Sequence, residues 1–344
     1  AIRSARTRAK ANGGLHPLAP PELLKPLYQA LAQRNQLDPV RVSEVILGCV
    51  TQHGEQAGNI AKTSVLFAGW PESVSGLTVP RFCSSSIDAI SLAGLKVAAG
   101  QTQAIVAGGI EMMSRVPMLS DAARVFSDPA YAVQHQMLLM GSGADLIATR
   151  IGANREDCDA VALQSQQRYA QAVDAGAIQE EIVPMPATMK LVNRETGDET
   201  FKDVIVDRDE CNRVDTTLDR LSMLKPAFEE GGSVTAGNSS QLSDGASMTL
   251  LMSAERAEQL GVEPLGYFRG FVTAGCEPDE MGIGPVFAIP KLLKRAGLGQ
   301  NDIDLWELNE AFASQCVYCR DFLDIDNAKY NVNGGSIAIG HPFG

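Results

Sequence analysis

The chain has 344 residues, 45% of them hydrophobic and 20% charged, with 32 glycines and 17 prolines. That mixture excludes both a disordered tail and a collagen-like fibre, and the length suffices for a large core in two or three domains or one intertwined unit. With 29 basic against 41 acidic residues the net charge is −12, so the surface repels phosphate backbones and nucleic-acid binding is excluded. No apolar run reaches the 18 or so residues that span a bilayer. The opening AIRSARTRAK is arginine-rich and acid-free, as a transit peptide is, but lacks the apolar core of a secretory signal.

In chain order, PPELLKPLYQALAQRN (20–35) carries Leu23, Leu24, Leu27 and Leu31 at helical spacing, and SEVILGCV (43–50) reads as a buried strand. A helix is predicted over 59–69, with Asn59 as its cap, then a short strand near Leu77–Val79. A helix over Ser84–Ala99 comes next, so rich in apolar and small residues that burial on nearly all sides is expected, and then the strand AIVAGG (104–109). This alternation is the rhythm of a layered α/β fold. From Arg115 to Leu242 the texture turns polar and Met-rich, with a long helix over 155–175, and reads as an inserted lobe. The α/β rhythm returns after residue 243: strands are predicted at 266–275 and 302–310, and a helix over 284–297.

The seven cysteines (49, 83, 158, 211, 276, 316 and 319) are an odd number in a long chain, which indicates reduced thiols and a cytoplasmic or organellar-matrix protein. Cys316 and Cys319 form a CxxC inside a predicted helix with no second pair, so they read as helix packing rather than a zinc or redox site. Cys83 differs from the others in position. It follows a strand and opens a helix, where the positive end of the helix dipole and unpaired N–H groups favour the thiolate. Ser84, Ser85 and Ser86 are small enough to admit a substrate to the backbone. An inert core cysteine is the other reading of Cys83, and the one taken for Cys49 and Cys276.

Two further segments stand out. In NVNGGSIAIGHPFG (331–344), glycines flank a short apolar run, read as a strand, that ends in a turn carrying His341, a residue type able to activate a thiol. In LWELNEAFASQ (305–315), Asn309 sits where a strand passes into a helix; it either caps that helix or holds a carbonyl oxygen or a water.

Together these segments resemble the thiolase family. Cys83 in PRFCSSSIDA resembles its nucleophile loop, and AGGIEMMSRVPM (107–118) resembles the stretch beyond the nucleophile helix. NEAF (309–312) and GHP (340–342) resemble its second and third catalytic loops. RVDTTLDRLSMLKPAF (213–228) and SVTAGNSSQLSDGAS (233–247) resemble its coenzyme A lobe and the return from it. The opening residues resemble its first strand and arginine-containing loop, which counts against a transit peptide. The likeness runs end to end, in order.

The resemblance implies an α/β fold of two βαβαβ-type halves in a five-layer αβαβα arrangement with an inserted coenzyme A-binding lobe. The implied division is 1–114 plus 243–264, the lobe 115–242, and 265–344. It implies an acyl-CoA C-acyltransferase: thiolytic cleavage of 3-ketoacyl-CoA, preferred here, or the reverse Claisen condensation. Cys83 would be the acylated nucleophile and His341 its base. Asn309, through a water, would form an oxyanion hole with His341, and the Cys83 N–H would belong to a second. Ser240 matches the serine at the pantetheine arm and Arg213 a basic residue near the adenine, with Arg220 and Lys225 completing a positive patch. Met140 and Phe312 are assigned to the same substrate site. Coenzyme A is substrate and product, no permanent cofactor or metal is implied, and a homodimer or homotetramer is expected, with the His53–Glu55 loop reaching a neighbouring subunit.

Two departures matter. Leu139-Met140-Gly141 replaces the His-Met pair of many short-chain thiolases, which favours a longer or bulkier acyl group. The family also carries a second catalytic cysteine in a glycine-rich loop beyond the GHP motif, a position none of the seven cysteines occupies; the expectation is a sequence that continues past Gly344. A ketoacyl-synthase-like condensing enzyme is the same-fold alternative, though NEAF argues against it. A catalytically impaired acyl-CoA-binding protein is the alternative if the polypeptide ends at Gly344.

Overall fold

The computed structural model describes residues 1–192 and 196–344. Six strands build its central sheet: β1 (Ile2–Arg3), β2 (Thr7–Arg8), β3 (Glu44–Gly48), β4 (Ser75–Val79), β5 (Ala104–Met112) and β8 (Ser243–Met252). The sheet is mixed and ordered β1-β8-β5-β3-β4, with β2 also paired to β8. β3 lies parallel to β4 and β5, while β8 runs antiparallel to β5 from Ala104↔Met252 to Met112↔Asp244. The remaining pair, β6 (Met185–Val192) and β7 (Glu199–Val206), forms a separate antiparallel hairpin.

Period-two alternation sorts the apolar side chains to the two faces of the sheet. Val45, Leu47, Val106, Ile110 and Met248 share one core with Leu23, Leu24, Leu27, Tyr28 and Leu31 of α1 (Pro20–Arg34). Ile46, Ile105 and Ala107 pack on the other face with Ala89 and Ala93, which belong to α3 (Ser85–Ala98). Between β3 and β4 runs α2 (Ile60–Phe67).

Between β5 and β8 the chain forms α4 (Arg124–Ser127), α5 (Pro129–Gln134), α6 (Met140–Ile151), α7 (Arg155–Asp174), the β6–β7 hairpin and α8 (Leu218–Ser222). Beyond β8 come α9 (Ala254–Leu260), α10 (Gly284–Ala296), α11 (Ala313–Phe322) and α12 (Ser336–Ile339). A second core gathers Ile147 of α6, Val286 of α10, and Cys316, Cys319, Leu323, Ile325 and Tyr330. The CxxC is thus buried helix packing. Among the described residues no helix is long and apolar enough to cross a membrane.

Four expectations need correction. Asn59 does not cap α2 with its side chain; it adopts a left-handed backbone at φ 57°. Its Nδ2 donates to the Gly76 carbonyl at 2.9 Å and its Oδ1 accepts from Thr78 at 2.8 Å, tying the helix to β4. Helix α3 is not buried all round: Ile87 is 59% and Leu95 45% exposed, because the sheet covers the face bearing Ala89 and Ala93 while Gly94 lies under the Phe268 ring. Segments 266–275 and 302–310 form no strand ladder, since no described neighbour offers its backbone in register; an isolated Trp306↔Tyr330 bridge marks the second. Residues 336–339 form a helical turn rather than a strand.

Candidate active site

Cys83 sits on a tight loop between β4 and α3. Phe82 takes a left-handed backbone at φ 45°, and Ser85 clamps the turn: its Oγ accepts from the Arg81 N–H at 2.8 Å and donates to the Phe82 carbonyl at 2.7 Å. The side chain of Arg81 pairs with Asp88 in the first turn of α3. Two of the three serines therefore build the turn rather than open it, since Ser84 also donates to the Arg81 carbonyl at 3.1 Å. Among these backbone contacts the half-buried Cys83 stands ahead of the cap residue Ser84.

Its ionisation departs from the helix-dipole expectation. Burial pushes the Cys83 thiol up to about 11, the Glu111 carboxylate adds to that, and a backbone hydrogen bond opposes it. Desolvation outweighs the dipole, so the resting group is a thiol. Glu111 is itself buried and accepts from the N–H groups of Val50 and Thr51 at 2.8 and 3.2 Å and from Gln56 at 2.8 Å.

His341 arrives from the other end of the chain. Its N–H donates to the Gln241 carbonyl at 2.8 Å and its ring lies 4.7 Å from that of Phe343. Ser86, three residues after Cys83, donates its hydroxyl to the carbonyl of Gly344, three residues after His341. That contact requires glycine at position 109 of β5, where a Cβ would strike both the Gly344 carbonyl and Ser86 Oγ. The histidine loop is thereby seated on the N-terminal end of α3.

The imidazole is buried, and that burial, reinforced by Arg6, pushes it down to about 3. Arg6 reaches the same turn, its Nη1 donating to the Gly340 carbonyl at 3.3 Å. His341 is accordingly neutral near pH 7, and the burial that keeps it neutral also weakens it as a base.

Asn309 faces His341, with Nδ2 3.2 Å from Nε2. The amide is oriented by Ser336, whose Oγ donates to Asn309 Oδ1 at 2.5 Å. Asn309 itself is exposed, so the amide end of the pair is open to a bound molecule. Sequence reasoning passed over Arg6, Glu111, Glu310 and Ser336 as contributors to this arrangement. Their signal was a polar residue inside an apolar run, as with Glu111 in AIVAGGIEMM and Ser336 in SIAI.

The substrate-site expectations divide. The Ser240 N–H donates to the Ala311 carbonyl at 3.0 Å, and Ser239 bridges Phe312, so Ser240 lies beside NEAF. Phe312 meets the Phe228 ring edge-on at 6.2 Å, and Phe228 packs on the Cα of Gly141, next to Met140 at the start of α6. Ser240 and Phe312 thus lie beside each other, and the Phe228 ring links Phe312 to the start of α6, where Met140 stands. Arg213 is exposed on the loop before α8, its N–H donating to Gln166 Oε1 at 2.8 Å. The expected positive patch is weaker than its sequence suggests, because Asp215 engages Arg220. Among the described residues no group of three or more His, Cys, Asp or Glu side chains could hold a metal ion.

A layered α/β protein that brings a helix-end thiol toward a neutral imidazole paired with an amide has the parts of a covalent acyl-transfer site. Residues 1–255 match the thiolase N-terminal domain and residues 262–344 the thiolase C-terminal domain. A 3-ketoacyl-CoA thiolase of Bacillus subtilis is 45% identical over 303 residues, 88% of this chain and 77% of that one. A peroxisomal 3-ketoacyl-CoA thiolase of Arabidopsis thaliana is 41% identical over 345 residues, 100% of this chain and 77% of its own length. The solved acetyl-CoA acetyltransferase of Bacillus anthracis superposes with a TM-score of 0.86 at 36% identity, covering 99% of this chain and 86% of that one. Human mitochondrial 3-ketoacyl-CoA thiolase gives 0.85 at 34%, covering 100% and 86%. The chain belongs to the thiolase family and is an acyltransferase with the thiolase-like α/β fold.

Proposed function

We propose that this protein is an acyl-CoA C-acyltransferase that cleaves 3-ketoacyl-CoA with coenzyme A through an acyl-Cys83 intermediate. The observation that carries the proposal is the Asn309–His341 pair, held at 3.2 Å on a loop that is itself seated on the nucleophile helix.

The chemistry follows from the protonation states. Cys83 rests as a thiol and His341 as a free base, so proton transfer from sulfur to the imidazole accompanies attack on the 3-keto carbon. The C2–C3 bond then breaks and its electron pair leaves as the enolate of acetyl-CoA, whose C2 takes the proton that the imidazolium received from Cys83, leaving His341 neutral again. Asn309 Nδ2 and the imidazolium formed in the first step donate toward that enolate oxygen, each worth on the order of 2.7–4 kcal/mol in acyl-transfer enzymes. The thiol of incoming coenzyme A next attacks the Cys83 thioester, its proton passing through His341 to the departing Cys83 sulfur, which gives the shortened acyl-CoA and the free Cys83 thiol. The Cys83 N–H serves the tetrahedral intermediates.

In this reading residues 115–242 are the coenzyme A lobe, inserted between 1–114 plus 243–264 and 265–344. Ser240 borders the pantetheine arm, Arg213 lies toward the phosphates, and Met140 and Phe312 line the acyl end, where Leu139-Met140-Gly141 favours groups longer than acetyl. Coenzyme A is substrate and product, with no permanently bound cofactor. We infer a homodimer or homotetramer from the edge position of β4, whose open backbone suits pairing with a second copy; a monomer by light scattering at micromolar concentration would count against it. For the activity, initial rates with 3-ketoacyl-CoA and coenzyme A should give parallel double-reciprocal lines. Intersecting lines, or equal rates after Cys83→Ala, would sink the covalent route.

A further inference from the structure

Glu310 is a buried carboxylate, 3% exposed, that takes no part in the acyl-transfer steps. Its Oε2 accepts from the Ser165 hydroxyl of α7 at 2.6 Å and from the Ile337 N–H of α12 at 3.3 Å. Its Oε1 accepts from Asn331 Nδ2 at 3.1 Å. Ser165 also takes the Gly335 N–H at 3.0 Å, and a Cβ on Gly335 would collide with the Glu310 carboxyl. The Glu310 N–H donates to Ser336 Oγ at 2.9 Å, and that hydroxyl in turn donates to Asn309 Oδ1. One residue therefore ties together the loop carrying Asn309, the helical turn leading to His341, and the lobe helix α7.

We propose that Glu310 is a positioning residue for catalysis: its carboxylate holds the Ile337 N–H directly and the Gly335 N–H through Ser165, so it fixes the turn on both sides of Ser336; Ser336 fixes which end of the Asn309 amide faces His341, and the 3.2 Å pairing depends on both. This rests on Cys83, Asn309 and His341 being the active site. The carboxylate matters beyond filling space, because all of the bonds to its side chain come from donors and only a two-oxygen acceptor satisfies them. In Glu310→Gln one oxygen becomes an NH₂ group. If the remaining oxygen faces Ser165 and Ile337, the new donor confronts Asn331 Nδ2, whose own Oδ1 holds the Leu308 N–H at 2.8 Å directly before Asn309.

The test compares wild type, Glu310→Gln and Ser165→Ala in full kinetics with 3-ketoacyl-CoA and coenzyme A, alongside intact-mass detection of acylated Cys83. Ser165→Ala lies outside both loops and removes one donor to Glu310 together with the acceptor of the Gly335 N–H, loosening the same turn, so it decides the matter if Glu310→Gln fails to fold. The expected result is a kcat lower by about 30-fold in Glu310→Gln and about 3-fold in Ser165→Ala, with both KM values within about twofold of wild type, as misplacement of reacting groups produces. A merely structural role would lower the amount of folded protein and leave kcat per active site unchanged. Wild-type acylation of Cys83 together with unchanged kcat in both variants would overturn the positioning role alone. Absence of acylation in the wild type would overturn the active-site reading and this proposal with it.

Discussion

The Asn309 side-chain nitrogen stands 3.2 Å from His341 Nε2 across 32 residues of sequence, and the amide cannot turn over without giving up the Ser336 hydroxyl on its other end. The pair presents a donor and a neutral base to the same space. If it stabilises an enolate oxygen, Asn309→Ala should lower kcat by about 10²–10³-fold while KM for coenzyme A changes little. Steady-state kinetics read this directly, and an unchanged kcat would remove Asn309 from the mechanism.

Cys83 behaves differently from a thiol activated by a helix end alone. Because burial pushes it up to about 11, its alkylation by iodoacetamide should quicken about tenfold per pH unit from pH 7 to pH 10. Peptide mapping of the modified residue gives the rate at this site. A plateau near pH 8 would mean a resting thiolate and would restore the helix-dipole expectation.

For His341 the sign of the pH effect follows from a native value of about 3 against about 6.5 in an unfolded chain. Between those values the unfolded chain binds a proton that the native protein refuses, so this residue's contribution to stability falls as pH falls through 6.5 toward 3. The slope approaches about 1.4 kcal/mol per pH unit for one proton. Urea unfolding of wild type and His341→Gln at pH 7 and pH 5 should show wild type losing roughly 2 kcal/mol more than the variant. Equal losses would contradict a buried neutral imidazole.

Gly340 adopts φ +91°, where an L side chain is strained, and a Cβ there would run into Ser243 Oγ. Gly340→Ala should therefore destabilise by roughly 1–3 kcal/mol and displace the adjacent His341. The urea midpoint and the initial rate should fall together; a variant with wild-type values in both would show that the turn tolerates a side chain.

Much of this was legible from residue order alone. The continuous apolar runs of β3 and β5 and the leucine spacing of α1 announced the sheet and its covering helix, because strands buried on both faces read as unbroken apolar segments and a half-buried helix as a periodic one. Cys83, Asn309 and His341 stood out because each was read at an element boundary, Cys83 and His341 also beside small residues. What local pattern does not carry is long-range pairing. Residues 266–275 have strand composition yet form no ladder, since a ladder needs a partner in register that composition does not specify. The short run 336–339 is apolar in either a strand or a helical turn, and the hydrogen bonds that the Gly335 and Ser336 carbonyls accept from Ala338, Ile339 and Gly340 decide for the turn. The thiol's elevated value was unreadable for a related reason: it arises from burial and from Glu111, 28 positions away in sequence, and not from the neighbouring helix end.

The central claim is a covalent acyl group on Cys83, and intact-mass spectrometry after brief incubation with a 3-ketoacyl-CoA and an acid quench measures it most directly. The account predicts a mass increase equal to the acyl group, mapped to the peptide containing Cys83 and absent from Cys83→Ala. A folded wild-type protein that gains no mass with any acyl length, or gains it equally in Cys83→Ala, would contradict it.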